Sequence, residues 1–107
     1  MTESTRRERV VSGMRATGAL HVGHLFGAIH NYIALSAHYD SYLFIATWHG
    51  LTTEYLAPPA TRTLSREIVA DWLAAGLDPN RVTIFSQSDV LQHAELHLLL
   101  SMLTPLG

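Results

Sequence analysis

Residues 10–24 constrain the fold more than any other stretch of this chain. They read Val10-Val11-Ser12-Gly13-Met14-Arg15-Ala16-Thr17-Gly18-Ala19-Leu20-His21-Val22-Gly23-His24. Val10 and Val11 are β-branched and apolar, Gly13 and Gly18 punctuate a loop, and apolar residues recur at helical spacing from Gly23 onward. The order is therefore strand, glycine-rich loop, helix start. Such a junction suits an anion, because the first turn of a helix carries unpaired backbone N–H groups and a partial positive charge. Gly23 leaves room for close approach.

His21 and His24 bracket that glycine. Three residues apart at a helix start near Val22, they lie on roughly one side, where either ring can donate hydrogen bonds to a triphosphate. The spacing Gly18-x4-Gly23 is that of a P-loop, but His24 and Leu25 follow where a P-loop needs Lys and then Ser or Thr. A metal site lacks a third ligand nearby, and the chain has no cysteine. The same pair also fits a loop histidine and a helix-capping histidine with no ligand at all, and the tetrapeptide alone leaves both readings open.

The remaining pattern alternates strands and helices. Residues 1–8 form a polar, flexible leader. Arg9 to Gly13 is the first strand. Gly23 to Tyr39 is a helix with Leu25, Ile29, Tyr32, Ile33 and Ser36 at spacings of three and four; it carries no Asp, Glu, Lys or Arg, which suits burial on both sides. Asp40-Ser41 supplies a turn, and Tyr42 to Ala46 is a continuous apolar run that suits a strand covered on both faces. Trp48 to Ala60 is loop by its Gly50, Pro58 and Pro59, with Thr61 or Thr63 as N-cap of the next helix. There Leu64, Ile68, Trp72 and Ala75 make one stripe, and Gly76 sits at the left-handed position that ends it. A turn over Leu77 to Asn80 precedes a third buried strand, Val82 to Ser86, and a leucine-dense helix, Leu91 to Leu103.

A β-α-β-α-β-α order implies a parallel sheet with right-handed crossovers. Ligands gather at the carboxyl ends of such strands. Those ends are Gly13 to Thr17, Thr47 to His49 and Ser86 to Asp89, so the glycine-rich loop and His49 are expected at one crevice. His93 and His97 have zinc-pair spacing, but Glu95 points to the far side of the helix, unlike the glutamate of H-E-x-x-H. His30 and His38 read as polar-face residues of the first helix. Trp72 reads as packing, and Trp48 fits either packing or the site.

Composition narrows the partners. The chain has 107 residues, 48% hydrophobic and 15% charged, enough for one modest core that buries about two thirds of the unfolded surface. Formal net charge is −2 and all seven basic residues are arginine, so no basic patch argues for nucleic acid binding by this stretch. The absence of cysteine excludes a disulfide framework and thiolate chemistry. No apolar run reaches membrane length and no secretory leader is present, so the expectation is a soluble cytoplasmic protein without a membrane partner.

Gly13-x-x-x-Thr17-Gly18-Ala19-Leu20-His21-Val22-Gly23-His24 resembles the signature G-x-x-P-[ST]-G-x-[LI]-H-[LIV]-G-H of class I aminoacyl-tRNA synthetases, with Ala16 in place of the proline. Phe44-Ile45-Ala46-Thr47-Trp48-His49-Gly50-Leu51-Thr52 is similar to the F-I-A-D-x-H-A-[LI]-T segment of tryptophanyl-tRNA synthetases, with Thr47 in place of the aspartate. Leu73 to Pro79, Ile84 to Ser88 and His93 to Leu96 follow in that family's order, and the resemblance covers Arg9 to Gly107.

The resemblance implies that residues 9–107 are the N-terminal half of a Rossmann-like, doubly wound parallel α/β sheet, incomplete without the later half. It implies activation of tryptophan by ATP to tryptophanyl-adenylate and pyrophosphate, followed by transfer to tRNA, whose contacts lie mostly outside this chain. His21 and His24 would act on the phosphates as catalytic donors; Arg15, Ala16, Thr17, Gly23 and His24 would hold the nucleotide; Gly13 and His49 would line the amino-acid side. Mg²⁺ would ride on the ATP phosphates. No metal would be bound by the protein, and the full-length enzyme would be a homodimer. The family's second signature, K-M-S-K-S, cannot occur in a lysine-free chain, so the 107 residues alone are expected to be inactive. A tyrosyl-type synthetase, another H-x-G-H nucleotidyltransferase and an inactive nucleotide-binding module are the alternatives. Leu96, Leu99, Leu100 and Leu103 form one stripe, with Leu91, Leu98 and Met102 beyond it; that excess is expected to pack on missing chain or a second subunit.

Overall fold

A computed structural model describes residues 6–52, 56 and 60–107. Strand β1 (Arg9–Met14) leads through the glycine-rich loop to helix α1 (Val22–His24), a π-helical segment (Leu25–Ile29) and helix α2 (His30–Ser36), which run on without a break. Strand β2 (Asp40–Ile45), a 3-10 turn (His49–Leu51) and helix α3 (Thr61–Ala74) follow, then strand β3 (Val82–Ser86), a second 3-10 turn (Gln87–Asp89) and helix α4 (Gln92–Leu103). Residues 1–5 of the expected leader, and Pro58 and Pro59 of the expected loop, lie outside the described residues.

The three strands form one parallel sheet in the order β1-β2-β3. The register pairs Gly13 with Phe44 and Phe44 with Phe85. Because side chains alternate across a strand, one face presents Met14, Leu43 and Ile45. Ile29 and Tyr32 from the first helix, and Ile68 and Trp72 from α3, pack with these residues and Leu77 into a single buried cluster. Leu43, Ile68 and Trp72 are the largest fully buried side chains, each stabilising the fold by about 1.5–3 kcal/mol through burial. Tyr32 and Trp72 meet edge to face at 5.7 Å between ring centroids, a geometry that adds about 0.5–1.5 kcal/mol.

The opposite face is different. Tyr42, Phe44 and Phe85 there are only half-buried, and Val11 is 57% exposed. Continuous apolar character in β2 therefore does not mean cover on both faces within this chain: burial alternates along the strand, and β3 is likewise only half-buried. Nor is the charge-free first helix buried all round, since Val22 and Phe26 are 68% and 67% exposed.

Local chemistry explains other departures from the sequence pattern. β2 begins at Asp40 rather than after Ser41, because the Asp40 N–H donates to the Glu8 carbonyl at 2.9 Å and so draws both polar residues into the sheet. Ala60, not Thr61 or Thr63, is the N-cap of α3, and no side-chain cap bond forms there. The helix expected over Gly23 to Tyr39 contains a widened turn, in which the His30 N–H reaches back five residues to the Leu25 carbonyl. Gly76 has the expected positive φ, +107°, which a Cβ would strain. All of α4 but His93 is exposed. No helix among the described residues is long and apolar enough to cross a membrane.

Candidate active site

The glycine-rich loop ends in a cap built from imidazoles. His21 is the N-cap residue of α1, in extended conformation, and its Nδ1 accepts the Gly23 N–H at 3.0 Å. His24 Nδ1 accepts the His21 N–H at 3.1 Å in return, so two backbone donors at the helix start are satisfied reciprocally, as in a Ser/Glu capping box. The rings lie 4.0 Å apart between centroids. An Nδ1 that accepts carries no hydrogen, so each neutral ring keeps its proton on Nε2. No hydrogen bond engages either Nε2 among the described residues. A Cβ on Gly23 would fall 2.8 Å from His21 Cε1, so glycine is required there to seat the capping ring. The Gly23 N–H is already used, and the outward donors of this turn are the two imidazole N–H groups.

The loop itself rests on the turn that follows β2. Ala46 N–H donates to the Met14 carbonyl at 2.8 Å and Gly50 N–H to the Ala46 carbonyl at 2.9 Å. A Cβ built on Gly50 would lie 3.7 Å from the Ala16 carbonyl oxygen. Ala16 is fully buried, while Arg15 and Thr17 are exposed. The Phe44 ring lies beside Gly13, where a Cβ would approach it to 2.5 Å. The Tyr32 hydroxyl contacts the Gly13 carbonyl at 3.4 Å and receives a bond from Ser12 Oγ at 3.2 Å, tying the end of β1 to the first helix.

The ends of β2 and β3 are tied by side chains. Thr47 Oγ1 accepts the Ser88 N–H at 3.2 Å and lies 3.4 Å from Ser86 Oγ, which is 2.9 Å from Ser88 Oγ. Gln87 is buried, and its Oε1 accepts the N–H groups of Trp48 at 3.1 Å and His49 at 3.4 Å. Its Nε2 stands 2.8 Å from His49 Nδ1. Gln87, Trp48 and His49 border an open cavity of about 230 Å³, whose lining is completed by Thr52 and by His93, Ala94 and His97. The His93 ring packs on Phe44 and Phe85, which fixes it as part of the sheet's covering. Among the described residues no group of three or more His, Asp or Glu is placed to hold a metal ion.

The structure thus brings the Gly13–Thr17 loop against the His49 turn, and the β2 and β3 ends into one hydrogen-bonded unit. The cavity beside His49 does not include His21 or His24, which cap the start of α1 after the same glycine-rich loop. Gln87 and the Thr47-Ser86-Ser88 hydroxyls carry no local sequence signal beyond following a buried strand, where an α/β sheet collects its ligand-facing residues.

Residues 3–107 match the family described as tRNA synthetases class I (W and Y). The tryptophan–tRNA ligase of Ralstonia nicotianae is 55% identical over 100 residues, which is 94% of this chain and 25% of that protein. The crystal structure of tryptophanyl-tRNA synthetase from Mycoplasma pneumoniae superposes with a TM-score of 0.83 at 31% identity, over 94% of this chain and 30% of that one. That from Campylobacter jejuni, complexed with ADP and tryptophan, gives 0.80 at 33% identity over 92% and 31%. The chain spans between a quarter and a third of the length of these relatives. With the family match running over nearly its whole length, the chain belongs to the class I tRNA synthetase family of tryptophan and tyrosine.

Proposed function

We propose that residues 9–107 form the amino-terminal part of the catalytic domain of a tryptophan–tRNA ligase, and that the full-length protein converts tryptophan and ATP to tryptophanyl-adenylate and pyrophosphate before charging tRNA. The observation that carries this reading is the pair of imidazole rings at the strand-to-helix junction whose Nδ1 atoms accept backbone N–H groups, leaving Nε2–H as donors, in a chain of this family. Tryptophan's carboxylate is already ionised and attacks the α-phosphate without a protein nucleophile. The protein's task is positioning, and stabilising charge that grows on phosphate oxygens.

His21 and His24 supply hydrogen-bond donors to those oxygens, and Arg15 adds fixed charge from the same loop. Thr17, the backbone at Ala16 and the turn at Gly23 border the nucleotide, while Gly13 and His49 border the amino acid. Mg²⁺ enters with ATP and needs no dedicated protein ligands. Contacts to tRNA fall mainly on other parts of the protein, since this chain is acidic overall. The exposed leucines of α4 meet a second subunit in a homodimer, and the enzyme works in the cytoplasm. Tryptophan-dependent exchange of pyrophosphate into ATP by the full-length protein is the test. Exchange with tyrosine instead would transfer the assignment to the tyrosyl branch, and no exchange with any amino acid would leave an inactive nucleotide-binding module. Robust exchange by residues 1–107 alone would refute the incomplete-site reading.

A further inference from the structure

The His49 ring is wired from behind, and the wiring dictates which nitrogen carries its hydrogen. Backbone N–H groups can only donate, so the Gln87 amide atom that faces both Trp48 N and His49 N must be its oxygen. That fixes the orientation of the amide. Its NH₂ is then directed at His49 Nδ1, 2.8 Å away. An Nδ1–H tautomer would set two hydrogens against each other across that distance, although Oε1 lies 3.2 Å from the same nitrogen. The shorter contact governs, and Nδ1 accepts.

We propose that Gln87 is a positioning residue that holds His49 as the Nε2–H tautomer, so that the ring presents one fixed hydrogen-bond donor to an acceptor oxygen of the ligand in the adjoining cavity. Gln87 is suited to this because it is buried, 5% exposed, with its acceptor saturated by two backbone donors. It cannot rotate without leaving both unpaired, at a cost that burial makes large. His49 itself is exposed and free to meet a ligand. The other titratable groups lining the cavity, His93 and His97, come from α4, and neither is hydrogen-bonded to the His49–Gln87 pair. The same logic, Nδ1 accepting and Nε2–H outward, operates at His21 and His24. Three histidines at this end of the sheet are thereby set as donors without needing a positive charge. That the ligand's acceptor belongs to the amino acid rests on the function proposed above; the tautomer rests on geometry alone.

The test is Gln87→Glu in the full-length protein with ¹⁵N-labelled histidine. A carboxylate still accepts the Trp48 and His49 N–H groups but cannot donate to Nδ1, so it draws a hydrogen onto Nδ1. Long-range ¹H–¹⁵N spectra, with the His49 signals assigned by their loss in His49→Asn, should show Nε2–H in the wild type and a protonated Nδ1 in Gln87→Glu. Gln87→Met, which neither donates nor accepts there, should show both tautomers, and it serves if Gln87→Glu does not fold. An Nδ1–H ring in the wild type, or a ring unchanged in both variants, overturns the proposal. In amino-acid activation the tautomer switch should raise the KM for tryptophan about ten- to hundredfold and leave the KM for ATP within about threefold, as expected for one lost donor. A switched tautomer with unchanged tryptophan KM would overturn the ligand assignment and keep the positioning role. A wild-type protein that activates no amino acid would overturn the function, with the spectra still deciding the role of Gln87.

Discussion

Replacing His21 by Asn separates two jobs that one ring performs. In the structure Nδ1 caps α1 by accepting the Gly23 N–H at 3.0 Å, and Nε2–H has no partner among the described residues. An asparagine Oδ1 can take over the acceptor role, since Asn is among the best N-cap residues, whereas alanine there loses about 1 kcal/mol. Neither Asn nor Ala can reach outward as the imidazole does. The capping function alone therefore predicts a wild-type-like Asn variant and an Ala variant less stable by about 1 kcal/mol, or below about 4 °C in Tm for a protein of several hundred residues. Loss of a donor aimed at developing phosphate charge predicts a fall of about 10² to 10³ in kcat, equivalent to about 2.7–4 kcal/mol. That loss exceeds the cap energy and should be shared by both variants. Pyrophosphate exchange with saturating tryptophan, read beside thermal unfolding of the same full-length preparations, distinguishes the outcomes. We expect equal catalytic losses in His21→Asn and His21→Ala, a stability loss only in the latter, and a tryptophan KM within about threefold of wild type, because the contact is made in the transition state. A His21→Asn enzyme retaining more than a tenth of the rate would refute the donor role and leave the histidine as a cap.

Trp72 is fully buried and its Nε1 has no hydrogen-bond partner among the described residues. Trp72→Phe should therefore cost less than about 1.5 kcal/mol in urea unfolding, because an unpaired buried N–H worth about 1–3 kcal/mol is removed along with the lost contact area. Trp72→Ala should cost about 3–5 kcal/mol, and equal costs for the two would show that Nε1 is satisfied. Gly13→Ala places a methyl 2.5 Å from the Phe44 ring, itself held by Phe85 and His93, and should destabilise by about 1–3 kcal/mol; a neutral effect on Tm would mean the ring yields freely. Leu99 and Leu103 are 59% and 81% exposed on α4. If they lie in a dimer interface, Leu99→Glu with Leu103→Glu should weaken association of the full-length protein more than a hundredfold by sedimentation, at about 1.5–3 kcal/mol per leucine; unaltered association would place the interface elsewhere.

Much of this architecture was legible in the residues. The stripe Leu64-Ile68-Trp72-Ala75 reads as a helix face because 3.6-residue periodicity and burial coincide, and Gly76 ends it for a steric reason that needs no tertiary information. Val82 to Ser86 stands between turn signals and is the strand the pattern predicts. The π segment over Leu25–Ile29 was not legible: it inserts a residue into an otherwise helical rhythm, and only the seating of Ile29 and Tyr32 in the core registers the shift. The polar start of β2 was hidden too, because pairing with the backbone at Glu8 and Arg9 overrides the turn character of Asp40-Ser41. At the site, the sequence pointed to His21, His24 and His49 by position. It could not supply the partners of their Nδ1 atoms: for His49 that partner lies 38 residues away, and for His21 and His24 it is backbone within three residues.

Strand order also bears on how the molecule comes into being. Each new strand pairs with the one made just before it, β2 on β1 and β3 on β2, and the helices between them close the shared core from one side. Among the described residues, assembly can therefore proceed in the direction of synthesis, strand by strand as residues leave the ribosome. The leucine-rich α4, which follows β3, is the element with least to bury against among the described residues. Until it is covered, that helix leaves a leucine-rich surface open to unwanted association during synthesis.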